Sequence, residues 1–346
     1  MQITKRKILI AIPLALILAI GVYFLPPVHS RLAWRVDELR AQIKYALNPP
    51  DEAIFQPQEQ SLLATIVAQT MQVYASPPAP TATATRPPAA TFVPSPTTTP
   101  IPTIVQLEVK YEHQHGHLNY CAPANFSMAL TYWGWDGSRE VIGPVVKPSD
   151  KDKNVMPYEL QDYIAQYVPG MTSVIRYGGD IDLLKRMVAA GYPVVVEKGI
   201  YEVDLAGTFS WLGHYAFVTG YSEPTGELIY QDSYQPEGAP RGKDRRIEYE
   251  KFNEGWRSFN YVFVVVYPVD HESTVISLLG DYADETWAAR HALEIAQNES
   301  VELTGIDQYF AWFNAGTSHV ALFEYADASV AYDYAFQLYA HDRIAE

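Results

Sequence analysis

Between Ser76 and Thr103 the chain reads SPPAPTATATRPPAATFVPSPTTTPIPT, nearly all Pro, Thr and Ala. A stretch of that composition cannot bury a core and runs extended as a semi-rigid spacer. Whatever folds must therefore do so on one side of it or the other, and the two sides differ. Upstream, Lys5-Arg6-Lys7 precede ILIAIPLALILAIGVYFLPPV, an uncharged apolar run of about 20 residues, the length that crosses a hydrocarbon layer ~30 Å thick. It exceeds the ~7–15-residue apolar region of a cleaved signal peptide and leads into Pro26-Pro27 without a small-x-small cleavage site. The expectation is an uncleaved anchor over 1–28, with the lipid bilayer as its partner. Arg31, Arg35, Arg40 and Lys44 offset the basic tip, but the compact Lys5–Lys7 cluster favours an inside N-terminus. A Thr/Pro stalk agrees with that orientation. The expected location is the cell membrane, single-pass, with the folded domains extracytoplasmic.

Residues 29–75 form a juxtamembrane segment in which Leu32, Val36, Leu39, Ile43 and Leu47 recur at helical spacing, an amphipathic helix over 29–47. Beyond the 76–103 linker the composition turns aromatic-rich. The 346-residue chain as a whole is 48% hydrophobic and 13% aromatic, enough for a sizeable core. Its formal net charge of -15, with scattered lysines and arginines, argues against a nucleic-acid partner. Residues 104–268 read as a first globular domain. CAPANFSMALTYWG (121–134) is helix-like, with Asn119 as a candidate cap, Pro123 in the first turn and Gly134 as the stop. Helical patterns recur over 157–168 and 181–191. PVVVEKG, HYAFVTGYS, ELIYQDSY and NYVFVVVYP read as strands, the second and third joined by a turn at 224–226. A helix followed by an antiparallel sheet makes an α+β domain.

There is one cysteine, so no intrachain disulfide forms, and Cys121 is either a linker, a buried small hydrophobe or a reactive thiol. A thiolate is favoured at a helix start or beside an imidazolium, and Cys121 opens a predicted helix. A cysteine hydrolase also needs a base, a group to orient it and donors for the oxyanion. His214 begins one predicted strand and Asp232 lies near the end of the next. An ideal hairpin about 224–226 puts 218 near 232, which leaves His214 four residues away, roughly 13 Å at ~3.3 Å per residue. Direct contact needs a bulge, a twist or a longer irregular turn. On residue types alone, a structural Cys and a structural His remain open.

YCAPANFSMALTYWGW resembles the nucleophile-bearing segment of papain-like cysteine peptidases of the bacteriocin leader-processing (double-glycine peptidase) type, N-C-G-P-A followed by an apolar helix and a Tyr-Gly pair. GHYAFVTGY and IYQDSY resemble the same family's His and Asp strands, in the family's order, over about 110–267. The resemblance implies a papain-like domain acting on a peptide or protein substrate, with no cofactor. It makes Cys121 the nucleophile, His214 the general base and acid, Asp232 the residue orienting the imidazole, and Gln114 the candidate oxyanion donor. Two departures stand out: Ala122 replaces the usual Gly, and Gln114 lies seven positions before the Cys (121 − 114). They favour an alternative, a catalytically silent papain-like domain serving as a tethered interaction scaffold. His115 or His117 could donate in place of Gln114. The run His113–His117 also admits a metal reading, although no second Cys exists to complete a ligand set. Trp133, Trp135, Trp211 and Tyr215 read as core or cleft, and the charge runs 150–153 and 242–246 as solvated loops.

Residues 269–346 carry Tyr282-Ala283-Asp284 and again Tyr325-Ala326-Asp327, an offset of 43 (325 − 282). Trp312, Gly316, Ala328, Tyr332 and Ala335 resemble the tetratricopeptide pattern. Two helical hairpins are fewer than the ~3 repeats that stand alone, so the expectation is packing on the peptidase-like domain, with a protein partner as a further possibility.

Overall fold

The computed structural model describes residues 21–23, 25, 28, 101–117, 119–148, 154–203, 209–234 and 242–338. The apolar run of the expected anchor, the amphipathic segment 29–47 and the spacer up to residue 100 lie outside the described residues, apart from the five near residue 25. No helix among the described residues is long and apolar enough to cross a membrane.

In chain order, β1 (Ile104–Gln106) leads to helices α1 (Cys121–Tyr132), α2 (Arg139–Val146) and α3 (Pro157–Tyr167). Then come β2 (Met171–Arg176), α4 (Ile181–Ala189), β3 (Val194–Val203), β4 (Phe209–Ser222), β5 (Glu227–Gln231), β6 (Arg245–Glu248), α5 (Tyr249–Arg257) and β7 (Phe263–Pro268). Helices α6 (Glu272–Leu279), α7 (Glu285–Glu302), α8 (Ile306–Ala321) and α9 (Tyr325–Leu338) follow. All strand pairs are antiparallel, in the order β2-β7-β3-β4-β5-β6, with β1 added to β4. The α+β expectation holds.

The strands are apolar on both faces because both faces are covered. Period-2 alternation sends Val195, Tyr215, Phe217, Val264 and Val266 to a core with Phe126, Leu130, Leu160 and Ile164 of α1 and α3. Val194, Val196, Ala216, Val218 and Val265 face Leu183, Leu184 and Met187 of α4 and Phe252 and Trp256 of α5. α1 is thus a central helix, and its residues from Ala122 to Leu130 are all buried.

The predicted helices end within two residues of the observed ones. Asn119 does not cap α1: it sits in the left-handed region (φ 51°), and Tyr120 takes the N-cap position. Gly134, at φ +86°, ends the helix as expected. β2, β6, α2 and α5 were not legible in the pattern; α2 carries Pro144 in its interior, which disguises it. Tyr282-Ala283-Asp284 closes a short 3-10 turn whose Asp284 side chain caps α7, whereas Tyr325–Asp327 is already the first turn of α9.

The C-terminal helices pack on the first domain. Val275, Leu279, Tyr282 and Ala288 share a core with Leu183 and Phe263. The Arg176 guanidinium donates to the carbonyls of Tyr282 (3.0 Å) and Ala283 (3.1 Å), and Asn260 Nδ2 donates to Ser318 Oγ at 2.8 Å.

Candidate active site

Cys121 is the first residue of α1 and is half-buried. No side chain caps this helix end, so first-turn amides are left for the sulfur, and the Ala122 N–H bonds it. The Tyr215 N–H from β4 bonds it as well. The Ala122 methyl is buried in the core beside Phe126, so the departure from glycine adds bulk to the core and none to the approach to the thiol.

His214 and Asp232 are brought together in two one-residue steps: Ser222 pairs with Glu227, so the turn centres earlier than residue 225, and β4 is then bulged. Between Val218 and Gly220 the ladder slips by one residue, so Val218 pairs with Tyr230 and Phe217 with Gln231. Extending that register places Asp232 opposite Ala216, two residues from His214 instead of four (216 − 214). The result is a hydrogen bond from His214 Nε2 to Asp232 Oδ1 at 3.0 Å, with both residues buried. The extra residue, Thr219, is fully buried: its carbonyl accepts from the Leu107 N–H at 2.8 Å and its Oγ1 from Gln231 Nε2 at 2.9 Å.

With Nε2 committed to Asp232, Nδ1 is the ring nitrogen left to meet the thiol, with which His214 interacts electrostatically. Burial opposes charge on the imidazole, but the hydrogen bonds and charges of Asp232 and Cys121 lift His214 to about 9. Burial likewise works against the thiolate, yet His214 and the two backbone donors hold Cys121 below its ordinary value. Asp232 stays ionised despite burial: the His214 hydrogen bond and charge, then the Arg245 and Lys198 cations, bring it down to about 2. Both shifts favour an imidazolium beside a thiolate.

Gln114 is buried next to this chain. Its N–H donates to the Ser233 carbonyl at 2.8 Å, and its Oε1 accepts from Ser233 Oγ at 3.1 Å. Ser233 Oγ accepts from Asn125 Nδ2, which also donates to the carbonyls of Cys121 (2.9 Å) and Tyr215 (2.8 Å). Gln114, Ser233, Asn125 and Cys121 thus form one network, and the engaged Oε1 leaves the Gln114 amide N–H groups as donors. The two histidines are placed differently. His117 turns to Glu140 (3.1 Å) and stacks on Tyr120, whereas His115 is buried near Tyr234.

Sequence reasoning missed Arg245, which sits in a run read as a solvated loop. It opens β6, pairs with Tyr230, and its Nη1 donates to Asp232 Oδ2 at 3.0 Å. The Tyr234 N–H donates to Oδ1 of the same carboxylate at 3.1 Å. Glu197 and Asn125 were missed too; a carboxylate inside the apolar PVVVEKG run was the available signal for Glu197. Trp133 and Tyr215 are spent on packing, donating to the carbonyls of Val266 (2.7 Å) and Val155 (2.8 Å), and Trp135 packs beside α1; the Trp211 side chain lies outside the described residues. Among the described residues, potential metal-ligand atoms converge, within 4.8 Å of one another, at His319, Glu324 and Asp327 on the α8–α9 turn, where Arg290 also lies 3.9 Å from Glu324.

Residues 106–264 match the model of the Peptidase_C39 like family. Among solved structures, a C39-like peptidase from Bacillus anthracis is similar over 47% of this chain and 97% of its own, at 17% identity and a TM-score of 0.36. The peptidase domain of Streptococcus ComA, a bi-functional ABC transporter involved in a quorum sensing pathway, is similar over 46% of this chain and 96% of its own, at 17% identity and a TM-score of 0.33. Xylellain, a cysteine protease from Xylella fastidiosa, covers 49% of this chain and 87% of its own, at 15% identity and a TM-score of 0.35. No curated protein matches the chain.

Proposed function

We propose that residues 106–264, which match the Peptidase_C39 like family model, form a cysteine-peptidase domain, and that the protein is a thiol-dependent hydrolase that cleaves a peptide or amide bond through a thioacyl-enzyme, held by its N-terminal anchor outside the cytoplasm. The observation that carries the reading is the buried His214–Asp232 hydrogen bond, with His214 electrostatically coupled to the Cys121 thiol at the start of α1.

The Cys121 thiolate attacks the substrate carbonyl carbon, forming a C–S bond, and negative charge develops on the carbonyl oxygen. The Cys121 backbone N–H and the Gln114 amide are the donors for that oxyanion. The His214 imidazolium protonates the departing amine as the C–N bond breaks. Neutral His214 then takes a proton from water, whose oxygen attacks the thioester. The acid leaves, and the thiolate–imidazolium pair is restored. Throughout, Asp232 keeps the ring in the orientation that presents Nδ1 to the sulfur, and Arg245 and the Tyr234 N–H fix Asp232.

The extracytoplasmic assignment is supported by the apolar run over 8–28, the Lys5–Lys7 cluster and the Pro/Thr stalk. The tetratricopeptide-like spacing of the C-terminal helices supports a protein-partner role for them.

Alkylation by iodoacetamide tests the chemistry. Cys121 reacts at neutral pH at least about tenfold faster than an ordinary thiol, and His214→Ala removes that advantage. Slow labelling that His214→Ala leaves unchanged would sink the reading and favour a silent scaffold.

A further inference from the structure

The turn between α5 and β7 has an unusual backbone. Asn260 and Tyr261 are consecutive, and both stand in the left-handed region, at φ 52° and 51°. That region crowds the Cβ of an L-residue. Asparagine tolerates it singly, but a bulky tyrosine beside it is strained and persists only where its surroundings hold it.

The holding groups come from the C-terminal helices. Asn260 Nδ2 donates to Ser318 Oγ of α8 at 2.8 Å, and Asn314 Nδ2, one turn earlier on α8, donates to the Arg257 carbonyl at 2.7 Å. The Tyr261 hydroxyl donates to Glu299 of α7, whose Oε1 also lies 3.3 Å from Arg257 Nε. Asn260, Asn314 and Ser318 are each 2% exposed. Buried polar groups so paired hold their geometry firmly, because removing one partner leaves the other unsatisfied.

The same turn carries Phe259 toward the active site. A Cβ built on Gly213, the residue before His214, would stand 2.7 Å from Phe259 Cζ, so the ring lies where a side chain at 213 would be. Glu197 Oε1 borders the same point at 3.6 Å. β4 has little other support here. Around His214 it pairs with β3 on one edge, whereas among the described residues β5 joins the other edge only from Phe217 onward. We propose that α7 and α8 position the catalytic histidine through this turn: Glu299, Asn314 and Ser318 lock residues 257–261, and Phe259 bears on Gly213 and fixes the β4 segment that presents His214 to Cys121. Phe259 is thus a positioning residue, and helices outside the family-matched segment complete the site. The catalytic meaning rests on the cysteine-peptidase reading; the mechanical coupling does not.

Two measurements on the full chain decide it. Hydrogen exchange read by mass spectrometry tests the coupling. Phe259→Ala and Asn314→Ala each speed amide exchange over 209–216 by about tenfold, the effect of Asn314→Ala being relayed by the turn that its amide holds. Parental exchange there in either variant overturns the coupling. The pH dependence of Cys121 alkylation, which needs no substrate, tests the positioning. Both variants lower the rate at neutral pH by about fivefold or more as the imidazole drifts from the sulfur. The midpoint of the pH–rate curve moves up toward the ~8.5 of a free thiol. Phe259→Met, which keeps apolar bulk on Gly213, recovers most of the rate. A lower Tm with a parental pH–rate curve makes the turn merely structural and overturns the positioning role. If cysteine-peptidase chemistry itself fails, labelling of the parent is already slow and insensitive to His214→Ala, while exchange over 209–216 still reports on the coupling. Should either alanine variant not fold, Ser318→Ala, which removes a single hydroxyl acceptor, takes its place: faster exchange and slower labelling support the proposal, and parental values overturn it.

Discussion

At the residue scale the site is organised around one carboxylate with three donors. Asp232 accepts from His214, from the Tyr234 amide and from Arg245, and the last of these is the one a mutation removes without touching the catalytic chain. A carboxyl depressed in the folded state contributes stability that is fully present above its ordinary 3.8 and is lost as pH falls through about 2. Arg245→Met takes away one of the cations that depress it. Acid unfolding followed by circular dichroism should then begin at a higher pH than in the parent, and kcat/KM at neutral pH should fall by about tenfold as the imidazole loses its fixed partner. Unchanged acid unfolding with unchanged kcat/KM would make Arg245 the solvated charge that its run in the sequence suggests. Cys121, His214 and Gln114 were picked out by the resemblance of the segments that carry them to a peptidase family, since residue types alone left a structural Cys and a structural His open. Arg245 was not, because an arginine between charges reads as surface until a neighbouring strand turns it inward.

At the scale of the element, the turn and the bulge in β4 together decide whether His214 and Asp232 meet. Hairpin arithmetic about 224–226 separates them by four residues; the observed Ser222–Glu227 pairing removes one of these and the extra residue at Thr219 another. Thr219 is held by Leu107 and Gln231, so β1 clamps the bulge from outside. Gly220, beside it, is a close-approach position: a Cβ there would lie 2.5 Å from the Val105 carbonyl oxygen. Gly220→Ala therefore has to push β1 away or shift the bulge. The expected loss is about 1–3 kcal/mol in urea unfolding, together with slower Cys121 alkylation. Full stability with parental labelling would mean that β1 plays no part in holding the register. The helix signals around Cys121 were readable because Pro123 and Gly134 punctuate a continuous apolar run, whereas Pro144 inside α2 hid a real helix.

At the scale of the molecule, the helices that follow residue 268 complete a core that the family-matched segment leaves open. Val275 and Leu279 are fully buried against α4 and its neighbours, Tyr282 donates to the Gly178 carbonyl at 2.9 Å, and Gly178 lies within 3.0 Å, by the same Cβ measure, of the Ala292 backbone. Removing residues 269–346 exposes that apolar surface. We expect a lower Tm and binding of a hydrophobic dye by the truncated chain. A truncated domain with the parental Tm and no dye binding would make the helices an independent appendage.

The sequence by itself determined the α+β class, Cys121, His214 and Asp232 as candidate site residues in that order, and the contrast between an aromatic-rich region and a Pro/Thr-rich stretch. These follow from composition, periodicity and motif, which are local properties of the chain. Only the tertiary structure decided which partners those residues have. The turn and bulge that bring His214 to Asp232, and the turn of Arg245 toward Asp232, depend on strand register. Register is set by contacts between segments far apart in sequence, where a one-residue slip reassigns every partner.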